Sequence, residues 1–258
     1  MSDAGPTGTA PDPDRTGPEE ADVYEALDSV YDPELDRSLA ELRYVDHVRI
    51  DGGDVSVGLR LPTGLCSPAF AWMMATGARE AIEALPGVES AAVSLRDHVD
   101  AEAVTGGVNA GASFEETFDD AAGDVEELRR TLDHKARMSR QHAAVTALLD
   151  AGVEPAAVVA LTHGDLDVGG EVARLDLGDR VVSLDAEPFA HFVEKVEAMG
   201  LPTDPDAPLF LTPADGAIPP EEFESVRQLT RLSSVNMSGQ AHQCSLLLQS
   251  RYDLEPEA

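Results

Sequence analysis

Pro62-Thr63-Gly64-Leu65-Cys66-Ser67-Pro68 divides two kinds of sequence. Before it, Val55, Val57, Leu59 and Leu61 alternate with Ser56, Gly58 and Arg60, the period of a strand with one buried face. After it, Phe70, Met73, Met74, Gly77, Ala81, Ile82 and Leu85 recur near the helical period, a stripe read as core packing. The seven residues therefore make a strand-to-helix turn with a thiol at its apex. Ser67 suits the N-cap and Pro68 the first helical position, where a missing N–H costs nothing. Cys66 is thus expected beside free backbone N–H groups at the positive end of a helix dipole, a setting that favours the thiolate. A thiolate is both a nucleophile and a soft-metal ligand. A free cysteine that merely fills space at a tight turn is the competing reading.

Working outward, Asp51-Gly52-Gly53-Asp54 is a tight-turn signal, so residues 45–50 and 55–61 form a hairpin. Val23, Ala26, Leu27, Val30 and Tyr31 place a helix over residues 19–31, ended by Pro33, and residues 38–42 read as a short helical segment. The second helix spans residues 69–85 with Trp72 off the centre of its apolar face, Pro86-Gly87 stops it, and a third strand covers 88–96. Helix, hairpin, helix and strand in this order predict a small α+β domain.

The stretch from Val23 to Leu95 resembles the small iron–sulfur cluster assembly domain family, which includes SufT-like and PaaD-like proteins and the cytosolic cluster-targeting factor. The resemblance is carried by Val23-Tyr24-Glu25-Ala26-Leu27 before Tyr31-Asp32-Pro33-Glu34-Leu35, by the hairpin, by the loop ending Cys66-Ser67-Pro68, and by Leu85-Pro86-Gly87-Val88. It implies help in building or delivering iron–sulfur clusters, with Cys66 as the functional loop residue that binds iron or a cluster transiently or engages the client. It also implies that Asp32, Glu34, Thr63, Gly64 and Ser67 line the site. The partners implied are a client apo-metalloprotein or a cluster scaffold, and PaaD-like relatives imply service to a multicomponent oxygenase. One thiolate cannot complete a cluster's coordination, so a second subunit in a homodimer, a small thiol or the client must supply the remainder. The chain departs from the family where it reads Asp36-Arg37-Ser38-Leu39 and Leu42-Arg43-Tyr44-Val45.

The formal charge of −31 over 258 residues argues against nucleic-acid and membrane-surface binding, both of which draw on lysine and arginine. Lysine occurs only at Lys135 and Lys195. No apolar run reaches membrane-spanning length, no signal peptide is evident, and the two cysteines do not make a disulfide framework; a cytoplasmic location is expected.

The domain reading is a disordered tail over 1–18, the assembly-like domain over 19–100, an acidic, glycine-containing linker over 101–124, and a helix plus mixed α/β region over 125–252. A long helix is expected at 125–150, a hairpin at 172–177 and 180–184, and helices at 187–199 and 220–232. Short strands are expected at 209–211 and 246–248. Arg129, Arg130, Lys135, Arg137 and Arg140 on the long helix could dock an acidic partner or pair with the chain's own carboxylates. His134 and His142 share roughly one face, and no third metal ligand is fixed by spacing.

Three functions follow. The first is a non-enzymatic cluster assembly or maturation factor, and the second a metal-free adaptor. The third is a cysteine enzyme with His47 or His98 as base. There is no phosphate-binding glycine loop, nucleophile elbow or Cys-x-x-Cys pair to support other chemistry.

Overall fold

The computed structural model describes residues 17–118 and 124–252. The tail expected over residues 1–18 falls, up to residue 16, outside the described residues. The fold is α+β and the described residues divide into two compact units, 17–32 with 37–118 and 247–252, and 33–36 with 124–246.

In the first unit α1 (Glu20–Asp28) opens on a capping box in which the Glu19 N–H donates to the Asp22 carboxylate at 2.7 Å. It stops three residues before the expected end, because Tyr31 and Asp32 are drawn into strand β1 (Tyr31–Asp32), paired antiparallel with β2 (Arg37–Ser38). The expected helical segment at 38–42 is only one turn, closed by Arg43 in the left-handed region at φ 56°. The hairpin forms as read, β3 (Val45–Asp51) against β4 (Asp54–Arg60), with a bulge between Val45 and His47. Gly52, at φ 63°, supplies the turn conformation that a side chain would resist.

Helix α2 (Pro68–Glu83) then crosses over to β5 (Ser90–Arg96), which pairs parallel with β4, giving the sheet order β3-β4-β5. Val55, Val57, Leu59, Ala91, Val93 and Leu95 form the buried face. Trp72 is buried and stands edge-on to Phe114 and Phe118, at 5.9 and 6.3 Å between ring centres.

The linker reading is corrected at its start. Residues 101–110 form helix α3 (Ala101–Ala110), whose Val104 and Val108 are buried one turn apart, followed by the single-turn α4 (Phe114–Thr117). Gly106-Gly107 suggested a break, but Gly107 serves close packing: a Cβ there would lie 2.3 Å from the Thr117 hydroxyl and 2.8 Å from the Trp72 ring. Residues 119–123 of the expected linker lie outside the described residues.

Helix α3 also finishes the sheet. The Val93 and Leu95 N–H groups donate to Asn109 Oδ1 (2.9 Å) and Thr105 Oγ1 (3.0 Å), and the Val93 carbonyl accepts from Asn109 Nδ2 (2.8 Å). Side chains four apart on a helix rise about 6 Å and residues two apart on a strand about 6.6 Å, so the two spacings match.

The second unit is built on α5 (Val125–Asp150), whose N-cap Asp124 accepts from the Glu126 and Glu127 N–H groups. There follow α6 (Pro155–Ala160), the antiparallel meander β6 (Leu166–Gly169), β7 (Val172–Asp176) and β8 (Val181–Asp185), α7 (Glu187–Ala198) and α8 (Phe223–Tyr252), of which this unit holds the part up to Leu246. Leu148, Leu175, Phe189, Phe192, Val196 and Leu209 are fully buried in its core. The β6 strand is an addition to the expected hairpin. The expected strand at 209–211 is not formed: the Leu209 N–H donates to the Leu161 carbonyl at 2.9 Å and Leu211 makes an isolated bridge to Ala217. The expected strand at 246–248 is helical, part of α8, because a three-residue apolar run carries no period and nothing between residues 223 and 252 stops the helix except the tolerated Gly239.

Candidate functional site

The Cys66 turn begins where β4 ends. Leu61 is buried at 2 % exposure and anchors the entry, while Leu65 is 78 % exposed at the crest. Between them Thr63 folds the chain on itself: its hydroxyl accepts from the Leu65 N–H at 3.1 Å and its carbonyl from the Cys66 N–H at 3.4 Å. The Gly64 carbonyl accepts from the Val99 N–H at 3.0 Å, tying the crest to the segment after β5. Ser67 occupies the N-cap of α2 and Pro68 its first position, as the sequence suggests; the Ser67 carbonyl takes the Ala71 N–H at 3.0 Å while its hydroxyl makes no capping bond. Cys66 itself is half-buried.

A residue from outside the turn fixes its shape. The His98 side chain is completely buried, and its Nε2 lies 2.9 Å from the Cys66 carbonyl. Its Nδ1 accepts the Asp100 N–H at 3.0 Å, which assigns the proton to Nε2 and makes that nitrogen the donor to Cys66. Both ring nitrogens are therefore engaged by backbone. His98 acts as a clamp on the Cys66 main chain, and its ring is not aimed as a base at the sulfur. His47, the other base considered, lies over Gly58, where a Cβ would be 2.3 Å from the ring, and its Nδ1 is 3.1 Å from the Asp46 carboxylate.

The remaining expected site residues are distributed. Thr63, Gly64, Cys66 and Ser67 share the turn. Asp32 sits on β1, buried, with the Tyr44 hydroxyl donating to it at 3.4 Å. Glu34 belongs to the second unit, where Gln240 Nε2 donates to its carboxylate at 2.9 Å. Among the described residues no group of three or more His, Cys, Asp or Glu side chains could hold a metal ion. Cys244 is half-buried on α8.

The cationic helix resolves largely into internal pairing. Arg137 is fully buried and reaches Asp215 at 3.1 Å, and Arg140 grips Asp36 through two bonds of 2.7 and 2.9 Å. Arg129 faces Glu126 at 3.7 Å, while Lys135 is exposed.

His134, His142 and His163 in this unit all titrate below the ordinary histidine value. Burial is the leading cause, aided at His134 by the Arg137 charge and at His142 by Arg227 and Arg231, and opposed at His134 by Asp215 and at His163 by Glu197. The unfolded chain protonates these rings near 6.5, before the folded one does, so acid favours unfolding. The urea midpoint of this unit is expected to hold above about pH 7 and to fall as pH drops through about 6.5 toward 5, and His142→Gln should flatten that fall.

Comparison with known proteins follows the same part of the chain. Residues 20–95 match the family model described as iron-sulfur cluster assembly protein. The chain is also similar to the iron-sulfur cluster carrier protein of Synechocystis sp. (strain ATCC 27184 / PCC 6803 / Kazusa), at 27% identity over 196 residues, 72% of this chain and 51% of that protein. The alignment thus reaches beyond the family segment, while the chain spans about half the length of that relative. No solved structure matches. Joined to the helix, hairpin, turn, helix and strand laid out above, these findings identify residues 20–95 as an iron–sulfur cluster assembly family domain.

Proposed function

We propose that this chain is a cytoplasmic iron–sulfur cluster assembly or metalloprotein maturation factor, with Cys66 as the residue that meets the cargo. The observation that carries the reading is the Cys66 turn inside a family domain: a half-buried cysteine next to an exposed crest, on a backbone clamped by Thr63, His98 and the Gly64–Val99 bond. Iron or a cluster is cargo here, and one thiolate leaves most of its coordination sphere to be filled from elsewhere. Transfer is then a ligand exchange without redox change, in which a client thiol loses its proton to solvent, its thiolate takes the place of Cys66 on iron, and Cys66 leaves as a thiolate. The exposed Leu65 and Val99, 78 % and 69 % accessible, give the crest an apolar rim that suits contact with a client apoprotein. Among the described residues, no helix is long and apolar enough to cross a membrane.

The test is anaerobic loading of the whole chain with ferrous iron and sulfide, followed by visible absorption and iron content. The unaltered chain and Cys244→Ser are expected to take up iron and show thiolate-to-iron charge-transfer bands. Cys66→Ser should retain less than about a tenth of that iron, since the thiolate is the ligand a hydroxyl cannot replace. Equal iron in Cys66→Ser, or none in the unaltered chain, would remove the carrier chemistry and leave the metal-free adaptor.

A further inference from the structure

The two edges of the β3-β4-β5 sheet are finished differently. The β5 edge is occupied by Thr105 and Asn109 of α3. The β3 edge is bare: among the described residues nothing outside β4 hydrogen-bonds the backbone of His47–Asp51, where the register runs unbroken from the His47–Gly58 pair to the Asp51–Asp54 pair. Every second residue of an edge strand turns its N–H and C=O outward, which is the template for strand addition. Five residues give an acceptor of about 17 Å.

The side chains along this edge define what it fits. Val48 and Ile50, on the buried face, are only partly covered, so the core is incomplete on this side. On the opposite face His47, Arg49 and Asp51 alternate with them, Asp51 standing at the end of the strand opposite Asp54. Arg49 is exposed, shares its row with Ser56 and Ala92, and has no carboxylate partner among the described residues. Arg96, half exposed, spends one nitrogen on Asp46, and Arg60 also binds Asp46 at 2.9 Å. The carboxyl of Asp46, which burial alone would raise, is held below its ordinary value by hydrogen bonds from His47 and Arg96 and by the Arg60 and Arg96 charges. With Asp46 consumed, the trough of about 580 Å³ lined by His47, Arg49, Ser94, Arg96 and Thr105 has Glu102 as its own acid. This places an arginine without a carboxylate partner on an open sheet face of a chain whose formal charge is −31.

We propose that the β3 edge accepts an extended segment of a partner protein as a fourth strand, with branched apolar residues beside Val48 and Ile50 alternating with acidic residues beside Arg49. A second copy of this chain fits poorly, because it would bring its own His47 and Arg49 to the same face. The inference stands on the sheet alone and is independent of what Cys66 does.

The test uses the full chain, isotope-labelled, with a capped peptide alternating glutamate and valine over seven residues, and a lysine–valine peptide as its counterpart. Amide exchange read by NMR is expected to slow at alternate residues of 47–51 on adding the glutamate peptide and to stay unchanged with the lysine peptide. Arg49→Glu, with an unchanged circular dichroism spectrum, should weaken the glutamate peptide at least tenfold and admit the lysine peptide. The proposal is overturned by unchanged β3 amides with the glutamate peptide, or by equal protection from both peptides. It is also overturned by β3 protection that needs no peptide and grows with protein concentration, which would assign the edge to a second copy.

Discussion

His98→Ala is expected to cost about 3–5 kcal/mol of stability and to release the Cys66 turn. The ring is fully buried, so its removal leaves a cavity, for which core truncations of this size cost about 2–5 kcal/mol. It also leaves the Cys66 carbonyl and the Asp100 N–H without their partner, at about 1–3 kcal/mol for each that stays buried. Urea unfolding checks the magnitude. The distinguishing measurement is local: maleimide labelling of Cys66 should accelerate well before global unfolding. His98→Gln, whose amide can still donate to the Cys66 carbonyl, should restore slow labelling in part. Unchanged labelling in His98→Ala would mean that Thr63 and the Gly64–Val99 bond hold the turn unaided.

Arg137→Ala should destabilise the second unit by a similar amount, about 3–5 kcal/mol. Arg137 is fully buried and ties α5 to the segment at 211–215: it donates to Gln141 Oε1 at 3.2 Å, to the Thr212 carbonyl at 3.0 Å and to Asp215 at 3.1 Å. Gln141 continues the same seam, giving a hydrogen bond to the Leu211 carbonyl and taking one from its N–H, as a neighbouring strand would. Asp215 is partly exposed, so losing the arginine strands no buried carboxylate. The cost is the cavity and the orphaned Thr212 carbonyl. Arg137→Met fills most of the volume and removes the desolvated charge, so it should cost about 1–2 kcal/mol in the same urea titration. Equal losses for Ala and Met would move the weight from packing to the ion pair.

The elements legible in the sequence were those whose signal is local. The hairpin announced itself by alternation around Gly52-Gly53, α5 by periodicity between Asp124 and Gly152, and the Cys66 turn by the change of period on either side of it. What escaped depended on partners far along the chain. Thr105 and Asn109 look like ordinary polar residues, and their spacing acquires meaning only beside the backbone of β5. His98 was considered for its acid–base chemistry, whereas its neighbours make it a brace, a role set by a carbonyl 32 residues earlier. Leu246-Leu247-Leu248 is too short to carry a period, so the continuity of α8 overrides it. The basic helix was readable in composition, and its internal pairing with Asp36 and Asp215 was not, because those acids lie some seventy-five to a hundred residues away.

The Thr105 and Asn109 seal on β5 also limits stoichiometry. A sheet open at both margins can add strands indefinitely, which is how fibrils grow. With the β5 margin occupied by a helix of the same chain, this sheet can add strands at the β3 margin alone, like a monomer with a single functional group, so two copies meeting through it would close as a pair instead of propagating.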